Sequence, residues 1–207
     1  MALVLSAELM ADRDAASAAT PLPIEAELVA RTKQGDDAAF SELVELFQNR
    51  IFNFVLARVR HRQLAEDVTQ EVLVKAYFSL NKLREPAKFK SWLFSIAHNH
   101  LRDLLRKRKL ETTDVEECHT EHYVDPDTPE KELKRQQTRE AVWDALVQLK
   151  PEQREILVLC DIEGLSYREI ADIMRVPLGT VQSRIFYARR KLRVILSGEF
   201  SYMGEEL

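Results

Sequence analysis

Six cationic side chains, Arg175, Arg184, Arg189, Arg190, Lys191 and Arg193, crowd one stretch of the chain, and no acidic residue lies between positions 175 and 193. A run of that kind can neutralise the phosphates of a nucleic acid. Helical spacing places Val181, Ile185, Ala188, Leu192 and Ile195 on one side of this stretch and Gln182, Ser183, Phe186, Tyr187, Arg190 and Arg193 on the other. An apolar face can then be buried while a polar, aromatic and basic face stays available. A second stripe lies upstream: at about 100° per residue, Ser95, His98, Asn99, Arg102, Arg106 and Lys109 share one arc that turns basic toward its C-terminal end. Asp67, Gln70, Glu71 and Val74 share a third helix face. It reads either as plain solvent-facing surface or, with Val74 as its apolar member, as a patch that binds another protein.

Two patterns invite a metal reading. His98-Asn99-His100 spells the letters of an HNH nuclease, but neighbouring residues on one helix point about 100° apart and cannot share an ion as residues four apart can. Cys118, His119 and His122 are three candidate ligands for zinc or copper in an acidic stretch that has no second cysteine pair. No cofactor is therefore expected. No Gly-rich phosphate loop, paired carboxylates or Ser/His/Asp arrangement stands out either, so the chain does not read as an enzyme.

The elements that must position these groups are helices. Phe40, Leu43, Val44, Phe47, Ile51, Phe54 and Val55 recur at helical spacing after Asp36 and Asp37, which can cap a helix N-terminus. A second helix runs from about Ala65 to Leu80 and buries Val68, Val72, Ala76 and Leu80. A third, from about Ser91 to Lys109, buries Trp92 or Leu93, with Ile96, Ala97, Leu101, Leu104 and Leu105. Farther on, Pro151 sits at a tolerated first-turn position and Gly164 can end that helix in a left-handed conformation. Ser166-Tyr167-Arg168-Glu169 has the form of a capping box, Pro177 breaks the helix it starts, and a longer helix follows from about Leu178 to Ile195. A short helix, a turn and a longer helix form a helix-turn-helix, whose second helix enters a DNA major groove.

Composition agrees. The 207 residues hold 30 Lys and Arg against 34 Asp and Glu, for a net charge of −4, and only 5 Gly and 7 Pro. A uniformly basic nucleic-acid binder is excluded, and sparse turn residues favour helices over strands. Charge is unevenly spread: residues 25–110 carry 16 basic and 11 acidic groups, whereas residues 111–135 carry 3 and 9. The acidic segment, with Pro126 and Pro129, reads as a flexible linker between two helical domains, 25–110 and 136–197. Residues 1–24 read as a flexible N-terminal extension without the basic start of a secretory signal, and 198–207 as a C-terminal tail. No stretch is apolar enough to insert into a membrane, so a cytoplasmic protein with reduced thiols is expected.

Over about residues 25–197 these features resemble the extracytoplasmic-function group of bacterial RNA polymerase sigma factors. Asp67-Val-Thr-Gln70-Glu71-Val-Leu-Val-Lys75-Ala76-Tyr77 resembles region 2.2 of that family. Phe89-Lys-Ser-Trp92-Leu-Phe-Ser-Ile-Ala-His-Asn99 resembles regions 2.3 and 2.4. Gly164-Leu-Ser-Tyr-Arg-Glu-Ile-Ala171 and Gly179-Thr-Val-Gln-Ser-Arg-Ile-Phe186 resemble region 4. The resemblance implies an all-α protein in which a region 2 helical bundle and a region 4 helix-turn-helix flank the acidic linker.

It also implies roles. Asp67, Gln70, Glu71 and Val74 would bind core RNA polymerase. Lys88, Lys90, Ser95, His98, Asn99, Arg102 and Arg106 would engage the minus 10 element as it melts, with Asn99 reading a base taken out of the stack and the cations holding the backbone. Thr180, Gln182, Ser183, Phe186 and Tyr187 would read the minus 35 duplex, and Arg184, Arg189 and Arg190 would contact phosphates or guanine edges. The partners implied are core polymerase, promoter DNA and an anti-sigma factor, which in this group often sits at the membrane and answers a stress signal. No small-molecule substrate is implied. Two alternatives stand beside this reading: a conventional helix-turn-helix regulator that binds duplex DNA unaided, and a metal-dependent nuclease using His98, His100 or the Cys118 cluster.

Overall fold

A computed structural model of the chain describes residues 24–111 and 142–198, with side chains described to residue 107 in the first segment. Every regular element among the described residues is helical. Helix α1 (Ile24–Lys33) ends at Gly35, whose φ of 93° is the left-handed conformation that frees the chain to turn. Helix α2 (Asp37–Val59) starts where expected: the Asp36 carboxylate accepts a hydrogen bond from the Ala39 amide at 3.2 Å. It stops at Arg60, a non-glycine residue at φ 53°. Helix α3 (Arg62–Ser79) is capped by the His61 ring, whose Nδ1 accepts from the Leu64 amide at 3.2 Å. Two 3-10 turns, Leu80–Lys82 and Pro86–Lys88, lead into α4 (Phe89–Glu111).

Much of the predicted core of this first bundle is buried, although Phe40, Val44, Ile96, Leu104 and Leu105 are only half-buried and Phe52, Leu56 and Ala57 are buried in addition. Leu43, Phe47, Ile51, Phe54 and Val55 of α2 are fully buried, as are Val68, Val72 and Ala76 of α3. On α4 the choice between Trp92 and Leu93 falls to Leu93, with Phe94 buried beside it and Trp92 only half-buried. Phe47 meets Phe89 edge-on with centroids 5.2 Å apart, and Phe54 meets Phe94 at 5.3 Å. Such pairs add about 1 kcal/mol each to the burial of the rings.

In the second bundle, residues 142–147 (α5) are helical and α6 (Pro151–Leu157) follows with Pro151 in its first turn. The backbone of α6 then widens into a π turn, Val158–Ile162, before Gly164 at φ 65° reverses the chain. Helix α7 (Tyr167–Met174) has the predicted capping box, with the Glu169 amide donating to Ser166 Oγ at 3.3 Å and the Ser166 amide to Glu169 Oε2 at 2.9 Å. Arg175 ends α7 in the left-handed region at φ 55°. Helix α8 (Leu178–Leu196) buries Val181, Ile185 and Ala188.

The two bundles touch. Helix α2 packs against α6, α4 packs against α7, and the buried apolar residues of both join one cluster. Residues 112–141, which contain nearly all of the predicted acidic linker and Cys118, His119 and His122, lie outside the described residues, as do 1–23 and 199–207.

Candidate nucleic-acid interface

Helix α8 is aimed by the turn before it. The capping box fixes the start of α7, Arg175 and Pro177 turn the chain, and the buried side of α8 then leaves Gln182, Ser183, Phe186, Tyr187, Arg190 and Arg193 exposed. Phe186 is 63% exposed and stands edge-on to Tyr187 with centroids 5.5 Å apart. An uncovered aromatic pair among cations, with Thr180 and Arg184 half-buried at its edge, can contact a groove and its phosphates together.

Arg189 does not join that face. Its guanidinium is turned back to Asp161 and also reaches Tyr167 Oη at 3.5 Å and Cys160 Sγ at 3.4 Å. The hydrogen bond with Asp161 holds its pKa above the ordinary arginine value. The sequence reading placed Arg189 among the DNA contacts because charge along a helix is visible in sequence. Its partner, 28 residues away, is not.

On α4 the stripe divides. Arg102 and Arg106 are exposed and Ser95 is half-buried. Asn99 is half-buried too, its Nδ2 donating to the Ser95 carbonyl at 2.7 Å while Oδ1 has no hydrogen-bond partner. The carboxamide is thus oriented by its own helix with one polar atom unused. Lys88 is exposed and pairs with Glu85, whose Oε2 lies 2.9 Å away. The 3-10 loop that carries Lys88 is tied down where Lys33 Nζ donates to the Leu83 carbonyl.

His98, placed by helical spacing on the open stripe, is only 8% exposed, because its Nδ1 meets Glu155 Oε1 of α6 at 2.6 Å. Lys90 is half-buried, with its ammonium donating to the Glu163 carbonyl, and burial lowers its pKa. His100 faces α3 instead: Lys75 Nζ contacts its Nδ1, and its Nε2 lies 2.9 Å from Glu71 Oε2. Burial first, and Lys75 second, depress the His100 pKa. The two imidazoles therefore serve different neighbours and do not converge on one point. Among the described residues no group of three or more potential ligands could hold a metal ion.

Helix α3 presents Asp67, Gln70, Glu71 and Val74 together as exposed residues. The apolar part of that surface is larger than the sequence reading assigned, since Val74 is 54%, Tyr77 42% and Phe78 79% exposed. Spacing of three and four residues puts all three on adjoining turns. The signal was present in the sequence as Tyr77 and Phe78 following Val74. An exposed apolar surface of this kind can meet another protein.

Comparison with known proteins covers the segments that carry all three faces. The model described as Sigma-70 region 2 matches residues 43–111, and that described as Sigma-70, region 4 matches residues 139–192. The chain is 36% identical over 174 residues to the RNA polymerase sigma-H factor of Pseudomonas aeruginosa, covering 80% of this chain and 90% of that protein. It is 37% identical over 173 residues to the ECF RNA polymerase sigma-E factor of Haemophilus influenzae, covering 80% of this chain and 91% of that protein. Among solved structures, it is similar to the sigma factor RpoE in complex with the anti-sigma factor NepR from Bartonella quintana, with a TM-score of 0.60 and 26% identity, over 76% of this chain and 96% of that one.

Proposed function

We infer the working of this protein from its family: the chain belongs to the extracytoplasmic-function (ECF) sigma factors of RNA polymerase. It binds core polymerase and directs initiation at particular promoters, and an anti-sigma factor restrains it. Nucleotidyl transfer belongs to core polymerase. The chain contributes recognition and melting and has no catalysis of its own.

The residue assignments are our proposal. Residues 25–110 act as the region 2 domain and 136–197 as the region 4 domain. Asp67, Gln70, Glu71 and Val74 dock on core polymerase, with Tyr77 and Phe78 extending the contact. Asn99 reads an unstacked minus 10 base, and Lys88, Lys90, Arg102 and Arg106 hold the strand. Gln182, Ser183, Phe186 and Tyr187 read the minus 35 duplex with Arg184 and Arg190 on its backbone, while Arg189 braces α8 through Asp161. The observation that carries this reading is the exposed polar and aromatic face of α8, the second helix of a helix-turn-helix whose first helix starts at the Ser166 and Glu169 capping box. The protein works in the cytoplasm, and its anti-sigma factor holds it at the membrane until a stress signal releases it. No helix among the described residues is long and apolar enough to cross a membrane.

Run-off transcription with purified core polymerase on a promoter pool tests the reading. Initiation is expected only with both components. Gln70→Ala weakens it through assembly, and Asn99→Ala and Arg184→Ala through promoter use, each about tenfold, as for loss of one good contact. Duplex DNA binding without any core-dependent initiation would instead make the protein a conventional helix-turn-helix regulator.

A further inference from the structure

Three titratable groups on the docking side of the first bundle are linked. Glu71 and Lys75, four residues apart on α3, lie 3.9 Å from each other. The His100 ring reaches both from α4: Lys75 Nζ contacts its Nδ1, and Glu71 Oε2 lies 2.9 Å from its Nε2. The Lys75 and Glu71 side chains are open to solvent, at 49% and 60%, whereas the His100 side chain is only 15% exposed. An ammonium has protons and no lone pair, so the ring nitrogen against Lys75 is an acceptor and Nδ1 carries no proton. The proton of the neutral imidazole then sits on Nε2, the nitrogen beside the carboxylate. Donation runs one way through the three groups, from Lys75 to the ring and from the ring toward Glu71.

We propose that His100 is a positioning residue for polymerase docking: reaching across from α4, its ring holds the Glu71 carboxylate in the place where core polymerase meets it, and Lys75 fixes the ring. The inference rests on the α3 face of Asp67, Gln70, Glu71 and Val74 being the docking face. A long side chain on an open helix gives up rotamer freedom when it docks, and one already held gives up less. The ring acts through Glu71 and touches no partner itself.

Acid upsets this arrangement. A proton on Nδ1 points at the Lys75 ammonium, and the imidazolium draws Glu71 to itself, so the charge offered to a partner is neutralised within the chain. Burial and Lys75 both hold the His100 pKa below the ordinary 6.5, against the opposing pulls of Glu71 and of Asp103 on its own helix. The ring is therefore neutral at neutral pH, and affinity for core falls only as the pH drops through a value below 6.5.

Affinity of the fluorescently labelled full chain for purified core polymerase, measured by anisotropy, tests the role in a double-mutant cycle. His100→Ala is expected to weaken binding about fivefold, the scale of ordering one side chain. In a chain that already carries Glu71→Ala the same change is expected to cost nothing further, because no carboxylate is left to hold. Equal losses in both backgrounds overturn the proposal, since a ring that merely packs α4 against α3 acts with or without Glu71. His100→Gln guards against an alanine variant that folds poorly: its amide can donate to Glu71 and accept from Lys75, and it does not titrate. It is expected to restore most of the affinity lost in His100→Ala. Between about pH 7.5 and about pH 5.5, wild type is expected to lose about threefold more affinity than His100→Gln. Parallel pH curves for the two overturn the proposal. Failure of wild type to bind core at any pH is a different result: it overturns the docking assignment of α3, and this inference with it, whereas binding with an additive cycle removes the role of His100 alone.

Discussion

Arg189 closes on Asp161 as a fork, Nη2 to Oδ1 at 2.5 Å and Nε to Oδ2 at 3.2 Å, and so fastens α8 to the π turn that follows α6. The turn and the recognition helix are thereby tied together by a side chain that does not face DNA.

Arg189→Ala is expected to lower stability by about 1 kcal/mol, the upper end for an ion pair whose partners are each about a third exposed. Arg189→Lys rescues little of this, because an ammonium cannot make both bonds of the fork. Urea unfolding reads the loss. Promoter binding by the assembled enzyme should weaken without a change in its dependence on salt, whereas Arg190→Ala should reduce the salt slope by about 1, the signature of one lost phosphate contact.

Removal of the α7 cap makes a second test. Ser166→Ala takes away the hydroxyl that accepts from the Glu169 amide and is expected to cost about 1 kcal/mol. Ser166→Thr retains both the acceptor and the hydroxyl that donates to Glu169 Oε2 at 2.8 Å, and should recover most of it. Thermal melts of the three proteins decide the matter, and equal melting temperatures for Ser166 and its alanine variant would contradict the assigned cap.

Cys160 supplies a pH dependence with a definite sign. Burial, and secondarily the neighbouring Asp161, push its thiol from the ordinary 9.0 up to about 12. The folded chain therefore holds the thiol neutral while the unfolded chain releases its proton above pH 9.0. Stability from this group is complete below pH 9.0 and is lost as the pH rises toward about 12. Cys160→Ala should show a shallower alkaline loss of stability than wild type. In native protein near pH 8, a value below both limits, iodoacetamide should modify Cys160 only after denaturant is added.

Much of this architecture is legible in sequence because its rules are local. The Asp36 cap, the α2 core and the Ser166 box are each written within a few residues, and each stands where spacing put it. Helix α1 was not foreseen: it offers only Ala26, Leu28 and Val29 as buried residues, too brief an apolar pattern to stand out. The π turn was not foreseen either, since its apolar residues suit an α-helix equally well. His98 and Arg189 show the sharper limit. Helical periodicity says which residues share a face, but a glutamate 57 positions away buries His98 and an aspartate 28 positions away captures Arg189. Contacts that cross the chain at such distances leave no local trace.

Val74, Tyr77 and Phe78 stand uncovered on α3. A chain produced in excess of its partners leaves this strip unshielded, and an unshielded apolar strip favours self-association. Dispersal of such an excess is then expected to depend on the supply of partners, so that tolerance of dosage is tied to the surface of one helix.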